Sequence, residues 1–157
     1  MPTVTIQRAS IKDLDELYAI EIECFENEAF SKEEIRQSME SPDFINLVAI
    51  SNGQPIGFII GRIESFKDEI RGHVYTIDVK SEYRRKGIGS MLLEAAERFF
   101  IKNNVGSCHL EMKVDNLAAH HLYSKHGYEI SGKLKNYYGQ GSDGMRLTKT
   151  LTNDSWK

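Results

Sequence analysis

Residues 74–100 read VYTIDVKSEYRRKGIGSMLLEAAERFF, and the change of period inside this stretch decides the fold. Val74, Tyr75, Thr76, Ile77 and Val79 are β-branched or aromatic and suit a buried strand. Ile88, Met91, Leu92, Ala95, Ala96, Phe99 and Phe100 recur every three or four residues and form one apolar stripe of a helix. Arg84-Arg85-Lys86-Gly87-Ile88-Gly89 joins them. Two glycines at a strand-to-helix junction let the backbone turn tightly and approach a ligand. The first amides of the helix lack internal partners and sit at the positive end of its dipole. With three cations ahead of them, the junction reads as a phosphate cradle. The competing reading is an ordinary strand-to-helix turn with surface cations.

Two common phosphate motifs do not fit. A Walker loop needs lysine after its last glycine, whereas Lys86 precedes the pair. A dinucleotide fingerprint needs a third glycine three residues after Gly89, where Leu92 stands.

Working outward, the 157 residues fit one domain, 1–157, with enough chain for a real core. An apolar fraction of 40% and a charged fraction of 27% are those of a globular protein. The net charge of −3 argues against a general nucleic-acid binder. No apolar run is long enough to span a bilayer and no signal-like N-terminus is present, so a cytoplasmic location without membrane attachment is expected. Cys24 and Cys108 read as buried thiols in a reducing compartment.

Thr3 to Arg8 alternates as a first strand. Ser10 opens a helix ending near Cys24, with Asp13 strengthening its start and Leu14, Leu17, Tyr18, Glu21 and Phe25 on one face. Ser31-Lys32-Glu33-Glu34 is a capping box for a helix from Ser31 to Met39. Phe44 to Ile50 and Gln54 to Ser65 form a hairpin about Asn52-Gly53, with Gly57 and Gly61 suggesting a bulge or close backbone approach. Lys67 to Gly72 reads as a charged loop. After the central pair come a strand Ser107–Val114, a helix Leu117–His126 capped by Asn116 and closed by Gly127, and strands Tyr128–Leu134 and Gly144–Leu151. The order β-α-α-β-β-β-α-β-α-β-β predicts a mixed α/β fold, a largely antiparallel sheet flanked by helices.

Arg84 to Gly89 resembles the pyrophosphate motif of the GNAT acetyltransferases, Q/R-x-x-G-x-G/A. His109 to Tyr128, HLEMKVDNLAAHHLYSKHGY, resembles the second half of that superfamily's signature. Together the two halves make the resemblance cover Thr3 to about Leu151 and imply the GNAT fold, whose element order this is. Gly72 to Val79 looks like the G-H-I-x-S-I-A-V strand of N-terminal acetyltransferases. Lys135 to Gly144 is similar to their K-x-Y-Y-A-D-G-E-D-A loop. Glu111 stands where RimI-type enzymes and archaeal relatives of the NatA catalytic subunit carry a catalytic glutamate. The resemblance therefore implies a protein N-terminal acetyltransferase using acetyl-CoA, with CoA as product, peptide or protein N-termini of nascent or ribosomal proteins as substrate, and the ribosome as a candidate partner. Ile77, Asp78, Val79, Arg84, Arg85, Lys86, Gly87, Ile88, Gly89, Ser90, Asn116 and Tyr123 would then contact the cofactor. The loop Phe25 to Phe30 departs from both relatives' patterns, so acceptor preference is the weakest inference from the sequence.

The chemistry asks for matching parts. A peptide α-amine, with a pKa of roughly 7.7–8.0, is mostly protonated near neutrality and must lose a proton. Glu111 and His73, on neighbouring strands, can take it. Backbone amides of Ile77-Asp78-Val79 would stabilise the carbonyl oxygen as it turns negative. Tyr123 keeps its proton at neutral pH and can donate it to a leaving thiolate. Phe25, Glu26, Phe30, Tyr137 and Tyr138 would wall the acceptor slot. Each also has a plainer reading: Glu111 as an ion-pair partner, His73 and Tyr123 as packed residues, Tyr137-Tyr138 as a hairpin pair. His120, His121 and His126 match no metal spacing and read as surface, so no metal is expected. Two other functions stay open. One is acetyl transfer to a small amine or lysine side chain; the other is a non-catalytic acyl-CoA-binding module.

Overall fold

The computed structural model describes residues 3–152. The elements are β1 (Val4–Arg8), α1 (Leu14–Phe25), α2 (Lys32–Glu40), β2 (Phe44–Ser51), β3 (Gln54–Phe66), β4 (Glu69–Val79), α3 (Ile88–Lys102), β5 (Ser107–Lys113), α4 (Leu117–Lys125), β6 (Glu129–Leu134) and β7 (Gly144–Thr150). This is the predicted order. Seven strands form one sheet in the order β1-β2-β3-β4-β5-β7-β6, in which β4 and β5 run parallel and the other neighbours antiparallel. Among the described residues no helix is long and apolar enough to cross a membrane.

Local chemistry sets the boundaries. Ser31 Oγ accepts the Glu34 amide and Glu34 returns the bond to the Ser31 amide, both at 3.0 Å, so α2 starts where the capping box predicts. Asn52 and Gly53 take φ of 53° and 74°, the left-handed pair that a two-residue hairpin needs. One expectation is corrected. Lys67 to Gly72 is not a loop: only Lys67 and Asp68 turn, at φ 47° and 66°, and β4 has begun by Glu69. The ammonium of Lys67 and the guanidinium of Arg71 lie over the Phe66 ring, which lets a charged segment remain strand.

The sheet buries both faces. Against one lie Leu92, Leu93, Ala96 and Phe100 of α3 and Tyr123 of α4, packed on Ile56, Ile59, Val74, Leu110 and Leu147. Against the other lie Leu17 and Ile20 of α1 and Ile35 of α2, packed on Val48, Phe58 and Ile60. Glu21, read as one residue of the α1 core face, is fully buried there.

The β3–β4 register slips between Ile60 and Gly61. Ile60 opposes Thr76 and Gly61 opposes Val74, so Tyr75 has no opposite residue. A bulge of this kind reverses which side chains point to which face. Val74 joins the α3 core, whereas Thr76 turns to Glu21 of α1. The glycines in β3 mark this region, as predicted. A Cβ at Gly57 would lie 2.6 Å from the Asp78 carbonyl oxygen, so only glycine permits the strands to meet there.

Candidate active site

β4 and β5 pair over three residues only, Gly72 with Cys108, His73 with His109 and Val74 with Leu110. Beyond Val74 the strands separate. The open edge of β4 from Tyr75 to Val79 therefore presents backbone groups that β5 does not satisfy, as an extended amide-bearing ligand requires. The junction after β4 continues this opening. Gly87 is the N-cap of α3 at φ 81°, a left-handed conformation that favours glycine, and no atom lies within 4 Å of where its Cβ would be. The cradle is thus open at the helix N-terminus. Arg85 and Lys86 are exposed beside it. Arg84 is spoken for: its Nε donates to the Val79 carbonyl at 3.0 Å and its guanidinium meets the Cys24 sulfur. Ile88 is buried, leaving its backbone to face the cradle. Ser90 Oγ pairs at 2.8 Å with His126 Nε2, so His126 is a half-buried partner of the α3 N-terminus and not the surface residue expected. Asn116 caps α4 by accepting the Ala119 amide at 3.1 Å. Open glycine cradle, free helix amides, cations and splayed strands together fit a phosphate-bearing ligand with an amide arm.

At the mouth of the splay the two candidate bases meet. His73 Nε2 lies 2.6 Å from Glu111 Oε1, and His73 Nδ1 lies 3.0 Å from Glu64 Oε1. Arg146 Nε donates to Glu111 Oε2 at 2.9 Å. Tyr75 donates its hydroxyl to Glu64 Oε2 at 3.1 Å. The His73 ring stacks on His109 with centroids 4.1 Å apart. Burial works to raise the Glu111 pKa, but the His73 hydrogen bond and charge, with Arg146, outweigh it and hold the carboxyl at about 2. Glu111 is therefore anionic, and its carboxylate faces the His73 ring nitrogen, where it can stabilise positive charge. Burial and the nearby His73 and Arg71 push His109 down to about 4.

Tyr123 is buried, and burial above all pushes its phenol pKa well above the ordinary value, so it stays protonated. Beside it, on the α1 face of β4, sits an acid pair. Glu21 and Asp78 are each 1% exposed. Thr76 Oγ1 lies 3.2 Å from Glu21 Oε1 and 2.6 Å from Asp78 Oδ1, yet a hydroxyl has one proton to give. The second contact is satisfied only if one carboxyl is itself protonated. Burial, then the charge and hydrogen bond of Glu21, accordingly hold Asp78 well above the usual carboxylate range. Glu21 Oε2 also accepts the Phe30 amide at 3.0 Å, tying the α1–α2 loop to β4.

A proton kept by the fold and released by the unfolded chain above about pH 4 makes stability fall as pH rises towards the raised pKa. Asp78→Asn removes this dependence. The melting temperature of the variant minus that of wild type is therefore expected to grow between about pH 4 and pH 8. Each unit of elevation corresponds to about 1.4 kcal/mol, or about 3–6 °C in a chain of this size. Thermal melts across that range check it, and a pH-independent difference contradicts the shared proton.

The acceptor side places the remaining predicted residues. Phe30 packs 6.4 Å from Tyr75, whose ring lies 4.2 Å from His73. Tyr137 and Tyr138 meet edge to face at 4.9 Å, and the phenols of both feel the Glu111 charge. Phe30 and Tyr75 thus gather beside His73, and Tyr137 lies within reach of the Glu111 charge. Phe25 is half-buried at the end of α1, and Glu26 is exposed at φ 46°. Glu28 pairs with Lys113 at 2.6 Å, joining the loop to β5. Glu64, His109 and Arg146 surround the pair without having been expected. Their signal was the polar residues in otherwise apolar strands, which only the strand register brings together.

Residues 14–128 match the acetyltransferase (GNAT) family. The chain is 38% identical over 114 residues to an N-alpha-acetyltransferase of Saccharolobus solfataricus, covering 66% of this chain and 68% of the relative. The fold superposes on Ard1 from Thermoplasma volcanium with a TM-score of 0.85 at 27% identity, over 96% of this chain and 99% of that one. It also superposes on the ribosomal-protein-S18-alanine N-acetyltransferase from Escherichia coli with a TM-score of 0.82 at 25% identity, over 96% and 95%.

Proposed function

The chain belongs to the acetyltransferase (GNAT) family and is an acetyl-CoA-dependent N-acetyltransferase, and from that premise we propose that its acceptor is the α-amino group of protein N-termini. The observation that carries this reading is the His73–Glu111 pair, 2.6 Å apart, at the mouth of the β4–β5 splay with the Tyr75 ring beside it. Relatives named for N-alpha-acetylation and for a ribosomal protein's alanine support it.

Acetyl-CoA supplies an activated acetyl thioester. Arg85, Lys86 and the backbone from Gly87 to Ser90 hold its pyrophosphate. The open β4 edge, Ile77 to Val79, holds the amide arm and offers N–H groups to the carbonyl oxygen. The acceptor enters between Phe30–Tyr75 and Tyr137–Tyr138 as an ammonium, drawn by the carboxylates of Glu64 and Glu111. His73 takes its proton at Nδ1, with Nε2–H donated to Glu111, whose carboxylate stabilises the imidazolium. Tyr123 holds a phenolic proton for the departing sulfur. Aromatic walls favour a flat peptide backbone over a compact polyamine. A small first residue such as Ser or Ala fits, and proline in second place, lacking an N–H, fits poorly.

Incubating the protein with acetyl-CoA and a peptide library of varied first residues, then reading masses, tests the proposal. Acetylation of Ser- and Ala-starting peptides is expected, with Pro-second peptides at least about tenfold slower, the cost of about one hydrogen bond. Faster acetylation of free lysine or a polyamine than of any peptide contradicts it.

A further inference from the structure

We propose that Glu64, His73 and His109 form a zinc-binding site whose occupation takes His73 away from proton transfer. One ligand atom from each of the three lies within 4.8 Å of the other two. Glu64 Oε1 is 3.0 Å from His73 Nδ1 and 3.5 Å from His109 Nε2. Two atoms each about 2.1 Å from a tetrahedral zinc are about 3.4 Å apart, so these separations suit an ion between them. Two imidazoles and one carboxylate are a ligand set that zinc takes, with water in the fourth position.

The surroundings of His73 fit as well as the ligands. A metal-bound imidazole almost always donates its other N–H to a carboxylate. His73 Nε2 faces Glu111 Oε1 at 2.6 Å, which selects the tautomer with its Nδ1 lone pair free. That lone pair points at a carboxylate oxygen 3.0 Å away, an arrangement that repels unless a cation, proton or metal, lies between. The second oxygen of Glu64 is held by the Tyr75 hydroxyl at 3.1 Å. His109 is 2% exposed and, among the described residues, has no hydrogen bond: its Nδ1 is without a partner there, and its Nε2 has only carboxylate oxygens at 3.5 and 4.0 Å. A buried imidazole aimed at two carboxylates is explained by an ion that it ligates. Glu64 and His73, with side chains 22% and 17% exposed, leave the ion a route from solvent.

Zinc binding stands independently of the acceptor; only its effect on turnover rests on His73 as the proton acceptor. With Nδ1 bound to zinc and Nε2–H donated to Glu111, the imidazole has no lone pair for the ammonium proton. The test titrates zinc, and separately cobalt, into chelator-treated protein. One equivalent is expected to bind, with cobalt giving the intense visible absorption of a four-coordinate site. Glu64→Gln and His109→Gln are each expected to weaken affinity at least tenfold; circular dichroism verifies folding, and the isosteric Glu64→Gln covers a failure of the buried His109 variant. The double change His120→Ala with His121→Ala, on α4 away from the cluster, should leave affinity unchanged. Absence of the cobalt spectrum, or affinity unchanged in Glu64→Gln, overturns the site. Wild-type turnover should fall in proportion to zinc occupancy. Stoichiometric binding with turnover intact would leave the site standing and remove His73 from the mechanism.

Discussion

Replacing Glu111 with glutamine is expected to lower turnover by about 10²–10⁴-fold while leaving acetyl-CoA affinity within about twofold, because the change strikes proton transfer and not the cradle. Glutamine is isosteric but carries an amide N–H₂. Arg146 Nε donates to one oxygen of Glu111, so the carbonyl of the glutamine must stay on that side and its N–H₂ must turn to His73. The amide then donates to His73 Nε2, which moves the ring proton to Nδ1, facing Glu64, and leaves no lone pair free for the ammonium proton. The anion that stabilises the imidazolium is lost in the same change. Single-turnover rates for a Ser-starting peptide, alongside calorimetry of acetyl-CoA, separate the two effects. Because His73 and Glu111 act as one unit, adding His73→Ala to Glu111→Gln should cost less than the product of the two single losses. Full turnover in Glu111→Gln would leave Glu111 as an ion-pair partner of Arg146.

Tyr123→Phe is expected to reduce turnover by a similar factor, about 10²–10⁴-fold, by removing the phenolic proton while keeping the ring. The ring is buried and meets Tyr128 edge to face at 5.9 Å, a contact phenylalanine reproduces. The melting temperature should therefore change little. Burial keeps the phenol protonated, as a proton donor to a thiolate must be. Unchanged turnover under conditions where chemistry limits the rate would reduce Tyr123 to a packing residue.

The strand-to-helix junction was legible because its chemistry is local. Gly87 takes the left-handed conformation its place before α3 requires, and the capping box at Ser31 and the hairpin at Asn52-Gly53 appear where their residues stand. Glu111, His73 and Tyr123 could be singled out because they lie on the segments that resemble the family. What surrounds them could not. Glu64 reaches His73 only because β3 folds back on β4, and Arg146 reaches Glu111 only because β7 inserts between β5 and β6. These are long-range registers with no sequence period. Glu21 reads as one polar residue on an apolar helix face; that it shares a proton with Asp78 depends on the bulge that turns Thr76 towards α1. The charged segment after Phe66 was misread as loop because its charges signal solvent, whereas a strand edge with stacked cations is solvated equally well.

The most direct test of the account uses one peptide that carries both a free amino-terminal serine and an internal lysine. The protein is incubated with this peptide and acetyl-CoA, and the product is fragmented in a mass spectrometer to locate the added acetyl group. The account predicts a single acetyl on the serine α-nitrogen, with the lysine unmodified. Acetyl on the lysine side chain, with the α-amine free, would contradict it.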